Sequence, residues 1–204
     1  MRKIKIKEIV CIIGLLGTLT AHSQNTVWQI GNKDNSAKEF KFYKNDYRNY
    51  INDVYLYEVG RNHSADFPYF LPGPSDVWAG GISGQAVIGF SLAEAPSPTT
   101  QLQLRLLFAE THPSSPPRLE VRLNSFEKSI QTPEGTNPEY LNTKETVSKE
   151  LSVTLDIPAD EFRAGNNTLT IQSISGSWVA FDQIKLTSDS PLQTNNLTTK
   201  ASLV

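Results

Sequence analysis

Residues Gln101–Leu106 read QLQLRL, an alternation that places leucines on one side of an extended chain and polar residues on the other. The same alternation recurs in Leu119–Leu123 (LEVRL), Leu151–Ile157 (LSVTLDI) and Leu169–Ile174 (LTIQSI). Strands with one apolar and one polar face are typical of antiparallel sheets. Turn residues rich in Pro, Gly and Asn separate these segments, so the sequence predicts an all-β fold, an antiparallel β-sandwich or jelly roll.

Three further segments complete this prediction. Trp28 begins the first strand beside Ile30, and we expect its ring in the core. One or two helical turns are predicted over Asn45–Asp53, where Asn45 is able to cap the N-terminus. The final strand contains Asp182, Ile184 and Leu186 at alternate positions.

The composition is that of a globular domain. The chain has 204 residues, of which 38% are hydrophobic and 20% charged, which excludes a disordered or collagen-like protein. Lysine and arginine total 19 against 21 acidic residues. Since no basic surplus exists to neutralise a phosphate backbone, nucleic acid is not expected as a partner.

Residues 1–23 have the layout of a secretory signal peptide. Basic residues precede an apolar run over Ile9–Leu19, and small residues lead to a predicted cleavage before Gln24. The run has about 11 residues, short of the ~20 that span a membrane, so we expect a secreted protein, periplasmic or extracellular, without a membrane span. Cleavage would leave a formal charge of −5 and would remove Cys11, the only cysteine.

The predicted domain organisation has three parts. Residues 1–23 form the signal peptide, residues 24–186 the folded domain, and residues 187–204 a disordered tail or the stub of a linker. The last part is rich in Ser, Thr and Asn and has few apolar residues to bury.

One long segment lacks the alternation. Arg61–Gly84 reads RNHSADFPYFLPGPSDVWAGGISG, dense in Pro, Gly and aromatic residues. Loops of about 20 residues within a compact domain are uncommon and usually functional. Its rings either plug one end of the sandwich or contact a ligand.

Several motifs along the chain resemble one family. Those motifs are WQIG at Trp28–Gly31, DFPY at Asp66–Tyr69, WAG at Trp78–Gly80 and GSWV at Gly176–Val179, followed by Phe181 and Asp182. Over about Val27–Leu186 the chain resembles the carbohydrate-binding-module-like third domain of family 4 polysaccharide lyases, the rhamnogalacturonan lyases. The chain departs from the family at Ser83–Ala86, where a His-Pro-Phe triplet or a similar one is expected.

The resemblance implies a galactose-binding-domain-like jelly roll that holds pectic polysaccharide. In those lyases a Lys and a His on a separate domain carry the chemistry, so we expect no catalytic residues here. The first reading is a secreted, non-catalytic carbohydrate-binding module. The alternatives are a small stand-alone pectin-acting enzyme, an ancillary fragment of a polysaccharide lyase or glycoside hydrolase, and a structural adhesin-like sandwich. The implied partners are a polysaccharide and a catalytic domain or enzyme of the same degradation system.

Sugar sites combine an aromatic face with groups that hydrogen-bond hydroxyls. The long loop offers that mixture, and Trp178 follows a turn elsewhere in the chain. The candidate carbohydrate-binding residues are Trp78, Tyr69, Asp66, Asp76, His63 and Trp178. Because pectic chains carry carboxylates, a basic residue is also expected near the platform, with Arg61, Arg105 and Arg118 as candidates.

Enzyme motifs are absent from the sequence. The predicted mature chain contains His63 and His112 but no Gly-x-Ser-x-Gly elbow and no His-Glu-x-x-His motif. Glu110 with Asp182 is one carboxylate pair that could be considered for glycoside hydrolysis.

Asp182 is the candidate metal ligand. It shares parity with Ile184 and Leu186, so its carboxylate points inward unless a bulge intervenes. An inward carboxylate needs backbone N–H groups, an arginine or a calcium ion. Hydrogen bonding is favoured, so no cofactor is expected, with calcium at Asp182 as the alternative.

Overall fold

The computed structural model describes residues 24–43, 50, 54–141 and 150–195. Within them the chain consists mainly of β-strands joined by turns. In chain order the strands are β1 (Asn25–Gly31), β2 (Val54–Glu58), β3 (Phe70–Pro72), β4 (Gln85–Leu92), β5 (Leu102–Thr111), β6 (Arg118–Leu123), β7 (Phe126–Gln131), β8 (Leu151–Ile157), β9 (Gly165–Ser175), β10 (Trp178–Ser188) and β11 (Thr194–Asn195).

These strands form two sheets across the described residues. The first sheet has the order β1-β10-β5-β8, and β3 pairs with the start of β10. The second has the order β11-β4-β9-β6-β7, and β2 pairs with β4. The β2–β4 pair is parallel, whereas the other strand pairs are antiparallel. The prediction of an all-β sandwich of mainly antiparallel strands is confirmed.

The core lies between the two sheets. The alternating stretches of the sequence become β5, β6, β8 and β9, and their apolar residues face inward. Trp28 on β1 packs against Phe90 on β4, with ring centroids 5.5 Å apart, and so connects the sheets. Its indole is buried, as predicted.

The long loop divides between core and surface. It contains β3 and two short 3-10 turns, Ser64–Asp66 and Val77–Ala79. Phe67, Tyr69 and Phe70 are fully buried, and the Phe67 ring lies 5.7 Å from that of Phe181 on β10. Trp78, in contrast, is exposed. Most of the loop's rings therefore plug the sandwich, and one does not.

Some boundaries differ from the prediction or fall outside the described residues. β10 continues to Ser188, and β11 pairs with Ser91 and Leu92, so the sheets extend past the predicted boundary at Leu186. The predicted signal peptide, residues 196–204 of the predicted tail and, apart from Tyr50, the helical turn over Asn45–Asp53 lie outside the described residues. In the part that is described, no helix has the length and apolar character needed to cross a membrane.

The burial of the loop's rings leads to a stability prediction. Phe67→Ala should lower the free energy of unfolding by about 3 to 5 kcal/mol, because it leaves a cavity beside Phe181 and Phe40. Trp78→Ala, on the same loop, should change it by less than about 0.5 kcal/mol, since that ring is largely in water. Urea denaturation of both variants measures the difference. Equal stability of the two variants would contradict the assignment of Phe67 to the core.

Candidate functional site

A concave pocket lies at one end of the sandwich. We call it the Trp78 pocket, and its cavity is about 200 Å³. Four segments that are distant in sequence surround it: Ser75–Trp78 of the long loop, His112 directly after β5, residues 138–141, and the start of β10 with Ser177 before it. Its lining consists of Ser75, Asp76, Val77, Trp78, His112, Pro138, Glu139, Leu141, Ser177 and Trp178.

The carboxylate of Asp76 organises the turn that presents Trp78. Its Oδ1 accepts hydrogen bonds from the backbone N–H groups of Trp78 (3.1 Å) and Ala79 (3.4 Å). Gly80 ends the turn at φ 75°, a left-handed conformation that glycine adopts without a steric cost. The backbone beneath Trp78 is therefore held by hydrogen bonds that do not involve its ring.

Trp78 has the exposure expected of a ligand platform. Its side chain is 68% exposed, next to Val77, which is 81% exposed. An indole left in water forgoes the stabilisation that burial of a large aromatic surface provides. On a capped turn at the rim of a pocket, the ring is free to stack on the apolar face of a sugar.

Asp76 acts as a positioning residue. Its side chain is only 2% exposed, and its Oδ2 has no hydrogen-bond partner among the described residues. Burial raises the pKa of this carboxyl, while the N–H groups of Ala79 and Trp78 and the nearby His112 act in the opposite direction. Asp76 therefore supports the turn that carries Trp78, and its buried carboxylate has little exposed surface for contact with a ligand.

Trp178 forms a wall of the pocket. It is 4% exposed and stacks on Tyr140, with ring centroids 6.4 Å apart and an interplanar angle of 25°. The His112 ring meets it edge-on at 5.7 Å. His112 Nδ1 accepts from the backbone N–H of Ser115 (3.0 Å), so the proton of the neutral imidazole resides on Nε2.

The other predicted candidates are not part of this pocket. His63 and Asp66 belong to the Ser64–Asp66 turn, where the His63 backbone N–H donates to Asp66 Oδ2 (2.9 Å) and lowers the pKa of that carboxyl. Tyr69 is fully buried and packs on Tyr43 and Phe70, so it cannot present its ring to a ligand. Of the six candidates, the structure brings together Trp78, Asp76 and Trp178.

His112 and Glu139 line the pocket although they were not among the predicted carbohydrate-binding residues. His112 follows β5 directly, and the pairing of Thr111 with Val179 places it beside Trp178. That proximity depends on the strand order, and a single alternating stretch carries no information about its neighbours. The alternation that predicted this strand ends at Leu106, six positions before His112, so the local sequence did not connect the histidine with the pocket.

Glu110 and Asp182 do not form an exposed acid pair. Glu110 is fully buried and accepts hydrogen bonds from the Thr136 N–H (3.0 Å), the Thr136 hydroxyl (3.0 Å) and the Thr111 N–H (3.1 Å). Asp182 is also buried, and different backbone groups bond to it. Each carboxylate therefore anchors a loop.

Asp182 lies beneath the loop that follows β1. Its Oδ1 accepts from the backbone N–H groups of Ser36 (3.1 Å) and Asp34 (3.3 Å), the arrangement that the sequence favoured. The β10–β5 register shifts around Phe181, and Phe181 and Ile184 both pack in the core although three positions separate them. A bulge thus interrupts the simple parity at Asp182, and the loop covers the carboxylate instead.

The second oxygen of Asp182 has no partner in the described residues. Burial, with a smaller contribution from the adjacent Asp34 carboxyl, raises the pKa of Asp182 to about 6 against the opposing effect of the two N–H bonds. Asp34 and Asp182 could contribute two ligands to a calcium ion, which takes six to eight oxygens. Within the described residues no cluster of three or more acidic, His or Cys side chains is placed to hold a metal ion.

Comparison with known families gives a match over most of the chain. The sequence profile described as "CBM-like: Polysaccharide lyase family 4, domain III" matches residues 26–186. This match supports a carbohydrate-binding module. No curated protein matches the chain in sequence.

Solved structures include several with partial similarity. A family 35 carbohydrate-binding module from an environmental isolate overlays at a TM-score of 0.36 with 20% identity, covering 58% of this chain and 72% of that one. The CBM35 of Cellvibrio japonicus Abf62 overlays at 0.36 with 9% identity, covering 57% and 72%. An exo-β-1,3-galactanase from Phanerochaete chrysosporium overlays at 0.30 with 17% identity, covering 50% and 20%. Overlays at TM-scores this low carry no argument about function.

The raised pKa of Asp182 predicts that its contribution to stability decreases as the pH rises. The folded protein keeps a proton on Asp182 between about pH 4 and pH 6, where the unfolded chain has released it. The contribution of Asp182 to stability should therefore fall by up to about 3 kcal/mol as the pH rises through that window. Asp182→Asn keeps one acceptor oxygen and removes the titration, so its unfolding free energy should vary less with pH. Denaturation of both proteins at pH 4, 5, 6 and 7.5 measures this, and parallel profiles would contradict it.

Proposed function

We propose a function from the family of this chain, which belongs to the carbohydrate-binding-module-like family of polysaccharide lyase family 4, domain III. The proposed function is that of a non-catalytic module that holds a polysaccharide at the Trp78 pocket. The observation that carries it is the Trp78 ring, 68% exposed on a turn that Asp76 caps.

The polar groups of the pocket suit a neutral part of a sugar chain. Ser75, Ser177, His112 and Glu139 offer donors and acceptors around the ring, and hydroxyl groups use both. The aromatic face of Trp78 complements the C–H face of a pyranose. Buried carboxylates such as Glu110 are engaged with backbone groups, which supports a module without catalytic residues of its own.

We further propose that the ligand is a pectic, rhamnogalacturonan-type polysaccharide. The support is the family, whose lyases act on such chains according to the resemblance described above. The corresponding partner is a catalytic domain or enzyme of the same degradation system. Calcium between Asp34 and Asp182 remains an alternative occupant at the free oxygen of Asp182, away from the Trp78 pocket.

The binding proposal is tested by removal of one ring. Trp78→Ala should weaken binding to the preferred glycan by about 1 to 3 kcal/mol, the range for loss of a stacking aromatic side chain, while the fold is retained. Isothermal titration calorimetry against rhamnogalacturonan, homogalacturonan and neutral galactan measures it. Leu56→Ala, which removes another exposed apolar side chain on β2, is the control and should bind normally. A Trp78→Ala protein that binds every glycan as tightly as the unmodified chain would falsify the proposal.

We also propose that the protein is exported. The support is the sequence of residues 1–23, which has a basic start, a short apolar run and small residues before the predicted cleavage site. Intact-mass analysis of material from the periplasm or medium should show a chain that begins at or within a few residues of Gln24. Recovery of the full chain with Met1 from the cytoplasm would contradict export.

A further inference from the structure

A shallow hollow on the outward face of the first sheet carries two cations. It has a volume of about 250 Å³, and β5, β8 and β10 contribute most of its lining. Lys185 and Arg105 lie in it among amides and hydroxyls, and no carboxylate belongs to the described part of the lining. The leucines that alternate with these residues face the core, so the polar row faces solvent. We call this surface the Lys185 face.

The two cations occupy opposed positions. In the β10–β5 ladder Lys185 is the direct partner of Arg105, which in turn faces Thr154 on β8. Directly opposed side chains on antiparallel strands start about 5 Å apart, and like charges there are destabilising. The two positive groups therefore repel each other across the ladder, and an anion placed between them would reduce that repulsion.

Neighbouring carboxylates neutralise this surface only in part. Glu150 accepts from Arg105 at 2.6 Å and also pairs with Lys33 at 2.9 Å, so one carboxylate serves two cations. Asp156 is engaged with the Gln103 amide at 2.8 Å. Over residues 24–43, 50, 54–141 and 150–195, Lys185 makes no ion pair with a carboxylate. Because a hydrogen bond to a neutral amide leaves the charge of Asp156 in place, the three cations Lys33, Arg105 and Lys185 lie near two carboxylates. This leaves one surplus positive charge there, on a chain whose formal net charge is −2.

The Trp78 pocket has the opposite character. Among the residues that the structure describes, its lining contains Asp76 and Glu139 and no lysine or arginine. A sugar carboxylate there would meet like charge, whereas the Lys185 face offers cations for it together with the hydroxyls of Ser152 and Thr154 for those of the sugar. The Trp78 pocket therefore suits the uncharged groups of an acidic polysaccharide, and the Lys185 face suits its carboxylates.

We propose that the Lys185 face is a second binding surface, which takes the carboxylate groups of a uronate-bearing polysaccharide through Lys185 and Arg105. The proposal rests on the proposed function in taking a polysaccharide as the ligand, but it concerns different residues. A chain crossing the sheet would place one carboxylate between the two cations and its hydroxyls against those of Ser152 and Thr154.

The test compares matched charge removals. Lys185→Gln should weaken binding to polygalacturonate about tenfold, the loss expected of one charge-assisted hydrogen bond, measured by calorimetry in low salt. Lys185→Arg, which keeps the charge, should bind within about threefold of the unmodified chain. Lys128→Gln, an exposed lysine on β7 of the other sheet, makes the same charge change and should have no more than about a twofold effect.

Three ligand arms separate this proposal from the preceding one. Fully methyl-esterified pectin should lose the dependence on Lys185, because it lacks the carboxylates, and neutral galactan should bind independently of it. Dextran sulfate that binds as tightly as polygalacturonate would show a nonspecific basic patch and would overturn the proposal, as would equal behaviour of the Lys185→Gln and Lys128→Gln proteins. Loss of galactan binding in Trp78→Ala with polygalacturonate binding unaffected by Lys185→Gln would keep the Trp78 pocket and reject the Lys185 face.

Discussion

The antiparallel ladder between β10 and β5 determines the position of both surfaces. At one end it pairs Val179 with Thr111, which brings His112 beside Trp178. Near the other end it pairs Lys185 with Arg105. β3 pairs with the first residues of β10, and Gly73 and Ser75 of the long loop donate to carbonyls of the turn before β10. The Trp78 turn is therefore attached to the central strand by backbone bonds that do not depend on its side chains.

Buried carboxylates attach the loops to this framework. Glu110, at the end of β5, accepts from Thr136 and so holds one segment that leads to the pocket wall. Asp182, within β10, accepts from the loop after β1, and Asp76 accepts from the turn that carries Trp78. Acceptors of this kind organise irregular backbone whose N–H groups have no partner in a ladder. Asp76 and Asp182 each keep one oxygen without a hydrogen-bond partner among the described residues, and burial raises the pKa of both carboxyls.

The parts of the fold that sequence could predict are those with local signals. Alternation identified β5, β6, β8 and β9 because each has one face in the core and one in water. Alternation could not predict which aromatic residues of the long loop are buried. Tyr69 and Trp78 have similar composition around them, yet Tyr69 is adjacent to β3 and is drawn into the core, whereas Trp78 lies on a capped turn. The difference arises from the pairing of β3 with β10, which involves residues about one hundred positions away in sequence and leaves no pattern within the loop.

Both surfaces include residues of β10, so one ligand molecule could contact the two together. Trp178 and Lys185 are seven positions apart on β10, a distance of about 20 Å for a strand that contains a bulge. A polysaccharide long enough to cover that distance could contact the Trp78 pocket and the Lys185 face of the same molecule. Binding at the second surface would then be intramolecular, so two weak contacts would combine into a tighter one without a deep cavity. A short oligosaccharide would reach only one of these two shallow, polar surfaces. Their placement on one sheet therefore favours a polymer as the ligand.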